Sequence, residues 1–122
     1  MALQNFFELG VWQEAHKTTL DIYTITKQFP VDEASTLVPQ VRKAASLLPV
    51  HIVQGLERCF LREKIKSFHS ARECGAELQN FLILAQDLAY ITEETAIQIF
   101  TQLDVLRSML TKIIRAIGEL KK

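Results

Sequence analysis

The residues able to do chemistry are the cations, three histidines and two cysteines, and only the cations fall into a pattern. Arg58, Arg62, Lys64 and Lys66 follow one another closely, and Lys112, Arg115, Lys121 and Lys122 gather toward the C-terminal end. Clustered ammonium and guanidinium groups suit phosphate oxygens, which they bind without reading base sequence. His16, His51 and His69 are scattered and form no HxxxH or Glu-x-x-His pair that would hold a metal from one helix. Cys59 and Cys74 lack the CxxC spacing and read as free thiols in a reducing compartment. No nucleophile with a positioned base and no glycine-rich phosphate loop is present. The residues argue for binding and against an enzyme, and they require no cofactor and no metal.

Composition says what must carry these groups. The chain has 122 residues, 48% of them hydrophobic, with four glycines and three prolines. That is one domain's length, with too few turn residues for an all-β fold. An all-α fold is expected. Fourteen basic residues balance fourteen acidic ones, so a nucleic-acid partner must be argued from local asymmetry alone. The N-terminal residues lack the basic start and apolar run of a secretory signal, and no window approaches a membrane span. A cytoplasmic protein with no membrane partner is expected.

Apolar spacing predicts four helices. The first runs from Phe7 to Gln28, with Leu9, Trp12, Ala15, Leu20 and Tyr23 inward, and Phe29-Pro30 ends it. A connector with one short turn at Asp32 to Thr36 leads to the second helix, Pro39 to Arg58. Pro49 lies inside that helix, where it deletes the hydrogen bond to residue 45, so a kink is expected there. After a tight corner at Cys59 to Leu61, the third helix covers Arg62 to Ala89, with Leu88 on its inward stripe and Gly75 marking close packing. Thr92 caps the fourth, which reaches Leu120. Phe100, Val105 and Met109 widen its apolar face beyond one seam, which points to a second buried surface, most simply between subunits. Short connections make these helices an up-down-up-down four-helix bundle with a kinked second helix.

In that arrangement one pole collects Arg58, Arg62, Lys64, Lys66, Lys112, Arg115, Lys121 and Lys122 against Glu8, Glu14, Glu57, Glu63 and Glu119. It is net basic, and the opposite pole is mildly acidic. Lys and Arg at a helix C-terminus complement the macrodipole, but Arg62, Lys64 and Lys66 sit in the first turns of the third helix, where positive charge is unfavourable. Charge retained there at a cost suggests use. Phe60 is the one aromatic residue beside this corner.

Val11-Trp12-Gln13-x-Ala15, Tyr23, Phe29-Pro30-x-x-Glu33 and Leu37-x-x-Gln40 are followed by Arg42-Lys43-Ala44-Ala45, Pro49, Ile52, Gly55, Arg58, Phe68, Ala71-Arg72 and Glu77-Leu78. In this order and spacing the chain resembles the four-helix-bundle family of 23S rRNA intervening-sequence proteins. It departs from the family's usual Asn-Ile-Ala-Glu-Gly at His51-Ile52-Val53-Gln54-Gly55, and from Ala-Arg-Gly-Ser at Ala71-Arg72-Glu73-Cys74. It is also similar to the accessory variability proteins of diversity-generating retroelements, which form pentameric rings and work with a reverse transcriptase and its RNA. The resemblance implies a homopentamer, with Arg58 and Arg72 as the basic motif positions carried over.

The expected function is therefore non-enzymatic. An oligomeric bundle would bind RNA or DNA through Arg58, Arg62, Lys64, Lys66, Arg72, Arg115, Lys121 and Lys122, alone or beside a reverse transcriptase. The competing expectation is a structural bundle that recruits another protein through apolar faces, with no nucleic acid involved.

Overall fold

A computed structural model describes residue 6 and residues 8–120. Among them, four helices make the expected all-α bundle: α1 (Gly10–Thr26), α2 (Leu37–Glu57), α3 (Leu61–Asp87) and α4 (Glu93–Leu120), with a 3-10 turn at Val31–Glu33 before α2. Each helix packs on the next, and α4 closes against α1. The pairings run in opposite senses. A Cβ on Gly10 would lie 3.3 Å from Met109 in the second half of α4, whereas Asp21, further along α1, bonds Gln102, nearer the start of α4. Likewise Gly55 meets Phe68, and Gly75 faces Leu48. The start of α1, the α2–α3 corner and the end of α4 thus share one pole, as the connections require.

In α1 two threonines, Thr18 and Thr26, take core positions, and Leu20 and Tyr23 do not. Val11, Ala15, Thr18, Ile22 and Thr26 face inward, while Leu20 is 55% exposed and Tyr23 lies at the surface. Leu20 is two residues from both Thr18 and Ile22, about 200° round the helix from each, so it must point out when they point in. The buried hydroxyls are satisfied locally: Thr18 donates to Glu14 O at 3.0 Å and Thr26 to Ile22 O at 2.8 Å. Lys27, Gln28 and Phe29 then bond carbonyls three residues back, which tightens the helix into its end before Pro30.

Pro49 sits inside an uninterrupted α2. The carbonyl it deprives of a helical donor, Ala45 O, instead receives the Thr19 hydroxyl of α1 at 2.8 Å. This hydroxyl also lies 3.1 Å from Ala15 O, and its one proton serves the shorter contact. Near the end of α2, Gly55 is covered by the Phe68 ring, itself buried to 2% exposure. Helix α2 begins at Leu37, so Pro39 is its third residue, where an amide would still lack an intrahelical partner.

Gly75 does not mark the close approach expected of it. An added Cβ would meet only Leu48 Cδ2 at 3.8 Å, an ordinary contact. Gly75→Ala is therefore expected to raise the unfolding free energy by about 0.5–1 kcal/mol, through helix propensity and lost freedom in the unfolded chain. Urea denaturation checks it.

At the far pole, α3 stops at Asp87, and Ala89 takes a left-handed conformation, φ 63°, while Tyr90 N donates to Ala85 O at 2.8 Å. This closure leaves Leu88 outside, 46% exposed. Tyr90 packs on Phe29, ring centroids 5.4 Å apart, and its hydroxyl donates to Glu33 Oε2 at 2.7 Å. The hydrogen bonds from Thr36 and Tyr90 hold the Glu33 carboxyl below its ordinary pKa. Thr92 caps α4 as its position predicts, accepting from Thr95 N at 3.1 Å. Along α4, buried Gln102 donates to Asp21 Oδ2 at 3.0 Å, and its Oε1 lies 3.1 Å from Thr18 Oγ1, whose one proton is shared between this oxygen and Glu14 O, a polar bridge that ties α4 to α1. The broad apolar side of α4 is divided: Phe100, Met109, Ile113, Ile114 and Ile117 pack against the core, but Ile97 and Val105 are exposed.

Candidate nucleic-acid interface

The α2–α3 corner forms because α2 ends where Arg58 turns extended, φ −62° and ψ 143°, and α3 restarts after Phe60, φ −98° and ψ 139°. Arg58, Cys59, Phe60 and Arg62 are all exposed there. Lys66 is exposed one turn further along α3, on the same side as Arg62 at i, i+4 spacing. Arg115, in the closing turns of α4, is exposed at the same pole. Among the described residues the one ion pair within 4.0 Å is Asp104–Arg107, so none of these four cations has a carboxylate partner there. Glu57 and Glu63 flank them in solvent.

Two residues expected with this group are employed differently. Lys64 Nζ donates to Gly55 O at 3.1 Å and Leu56 O at 2.9 Å. A positive charge misplaced for the dipole of α3 is thereby well placed for that of α2, whose last carbonyls it satisfies. Lys64→Met should lower the unfolding free energy by about 1 kcal/mol, because the stem still packs while the caps are lost; urea titration would check it. Arg72 lies further up α3, half-buried in the groove against α4, with Nε buried and without a hydrogen-bond partner. Arg107 lines the same groove, about 410 Å³ in volume, and donates to Gln79 Oε1 at 3.1 Å. Sequence reading missed Arg107, since no motif marks it and only the pairing of α3 with α4 brings it to Arg72. Lys121 and Lys122 lie outside the described residues.

The remaining chemistry-bearing residues are dispersed. His16 stacks on Trp12, ring centroids 4.6 Å apart, His51 bonds Gln54 at 3.1 Å, and His69 is exposed elsewhere. Cys74 is buried, which pushes its thiol pKa up, and Cys59 is exposed at the corner. Among the described residues no group of three His, Cys, Asp or Glu would hold a metal, and no helix is long and apolar enough to cross a membrane.

The family model for 23S rRNA-intervening sequence proteins matches residues 7–112. The chain belongs to that family. The matched span includes the Arg58 to Lys66 corner and Arg72, and stops short of Arg115. A solved structure of a protein of unknown function from the S23 ribosomal protein family of Bacteroides thetaiotaomicron has the same fold, with a TM-score of 0.79. It is 17% identical, over 85% of this chain and 97% of that one. No curated protein matches.

Within this 23S rRNA-intervening sequence family member, several positions that carry the resemblance have structural work. Gly55 accommodates Phe68, and Glu33 ties the α1–α2 connection to Tyr90. Arg42, at the acidic pole, stacks 4.6 Å over the Tyr23 ring and donates Nε–H to Thr26 Oγ1 at 2.8 Å. His51 and Gln54, where the chain departs from the usual signature, bond each other within one turn of α2. Arg58, another basic motif position, is exposed at the corner.

Proposed function

We propose that this protein is a non-enzymatic RNA-binding bundle whose docking surface is the α2–α3 corner, with Arg58, Arg62 and Lys66 as the phosphate contacts and Arg115 in support. The observation that carries this reading is the set of exposed cations at one pole without carboxylate partners among the described residues. The Arg62–Lys66 like-charge pair costs a few tenths of a kcal/mol on the helix surface and offers the fold nothing in return. The family's name, with its reference to 23S rRNA, favours RNA over DNA. A homopentameric ring with parallel bundles would repeat the corner round one face and multiply a modest charge asymmetry. In that form the protein would serve an rRNA-associated particle or a reverse transcriptase and its RNA.

The test is the salt dependence of RNA binding in the triple variant Arg58→Glu, Arg62→Glu, Lys66→Glu. For every phosphate of single-stranded RNA that the variant no longer neutralises, the slope of log K against log salt should flatten by about 0.7. Unchanged affinity and slope would move the interface off this corner. A second reading, recruitment of another protein, draws on the exposed Leu84, Leu88 and Ile97 near the opposite pole. A monomer in solution mass measurement would remove the ring, and with it the repeated basic face.

A further inference from the structure

Phe60 stands outside the core of the bundle. It is 70% exposed, so most of its surface gains nothing from burial. It occupies the N-cap position of α3 with no side-chain hydrogen bond to the helix, where Ser, Thr, Asp or Asn would satisfy a free amide. The position thus forgoes both packing and capping. Exposed Arg58 and Arg62 lie two residues to either side in the chain, flanked by Glu57 and Glu63, with Lys66 one turn beyond Arg62, and the backbone at Arg58 and Phe60 is extended.

We infer that the Phe60 ring is a stacking platform for an unpaired base, so that the corner takes single-stranded rather than duplex RNA. This rests on the RNA-binding reading and specifies its substrate. An exposed aromatic side chain with arginines two residues to either side suits a partner that is at once anionic and planar. An unpaired nucleotide is both, with its base face on the ring and its phosphates on the guanidinium and ammonium groups. A duplex is anionic too, but its base faces are spent on one another and leave the ring nothing to meet. An apolar protein surface would have to desolvate Arg58 and Arg62 to reach the ring. A bilayer would gain from the cations, yet this corner offers it a single inserting side chain.

The experiment compares the parent protein with Phe60→Ser and Phe60→Trp, using a labelled oligouridylate, an RNA duplex of equal length, and phosphatidylserine vesicles. Phe60→Ser should weaken oligouridylate binding roughly 5- to 150-fold, leave duplex binding unchanged, and melt no lower than the parent because serine caps α3. Phe60→Trp should retain binding, with its added indole fluorescence quenched by the oligomer. Equal losses on both RNAs, or no loss on either, would overturn stacking. Ring-dependent binding to vesicles without ring-dependent binding to oligouridylate would overturn it in favour of a membrane. The corner charge-reversal variant separates the two layers. If that variant loses RNA while Phe60→Ser does not, the stacking inference falls and the RNA-binding reading stands. If neither variant changes RNA binding, both fall.

Discussion

Gly55→Ala is expected to destabilise the bundle by about 1–3 kcal/mol, the range for overfilling a packed site, although alanine is the better helix former. A Cβ at residue 55 would lie 2.7 Å from Phe68 Cζ and 2.8 and 2.9 Å from its Cε atoms. Real carbon atoms do not approach so closely, and the ring cannot swing away because it is almost fully buried between helices. Either α2 and α3 separate at the corner or Phe68 leaves its rotamer. The measurement is urea unfolding of Gly55→Ala, Phe68→Leu and the double variant. Phe68→Leu alone opens a void and is itself destabilising. In the double variant the methyl group and the shortened side chain relieve each other, so the combined loss should be smaller than the two single losses added. Strict additivity would show that the ring is not what excludes the methyl group. Since Lys64 caps the carbonyls of Gly55 and Leu56, displacement here should also disturb the corner that presents Arg58 and Arg62.

The second large effect lies where α1 meets α2. Thr19→Val, close to isosteric, should lower stability by about 1–3 kcal/mol, because it leaves Ala45 O without the donor that stands in for the amide Pro49 lacks. Position 19 is near the surface, and a substitution there would ordinarily cost little. The energy belongs to the carbonyl across the interface. Pro49→Ala restores a helical amide to that carbonyl, so in a Pro49→Ala background the loss from Thr19→Val should shrink to a few tenths of a kcal/mol. A Thr19→Val loss of the same size in both backgrounds would mean that Ala45 O finds another partner. The pair also shows how a proline that costs about 3 kcal/mol in a helix interior is tolerated here. The neighbouring helix satisfies the acceptor that the proline leaves open.

Much of the bundle was legible in the chain because its signals are local. Pro30, Thr92 with its acidic neighbours and the helical spacing of α2, α3 and α4 act through residues within one or two turns. The four helices accordingly lie within a few residues of their expected bounds. Spacing misled in α1, where hydrophobicity favoured Leu20 and Tyr23 for the core. Thr18 and Thr26 take those places because their hydroxyls bond carbonyls one turn back and so enter the core satisfied. Gly75 and Gly55 look alike in the sequence, and only the position of the Phe68 ring tells the tight glycine from the roomy one.

The basic corner divides in the same way. That Arg58, Arg62, Lys64 and Lys66 share a corner followed from their closeness in the chain and the end of one helix before the next. Which of them remain free did not follow. Lys64 turns back to cap α2, Arg72 stays in the α3–α4 groove beside Arg107, and Arg115 joins the pole through the antiparallel run of α4. Sequence by itself determined helix number, order and the pole where charge collects, because periodicity and capping depend on near neighbours. The tertiary structure alone decided which cations are spent on carbonyls and which face solvent, because a side chain's partner is set by the helix packed beside it.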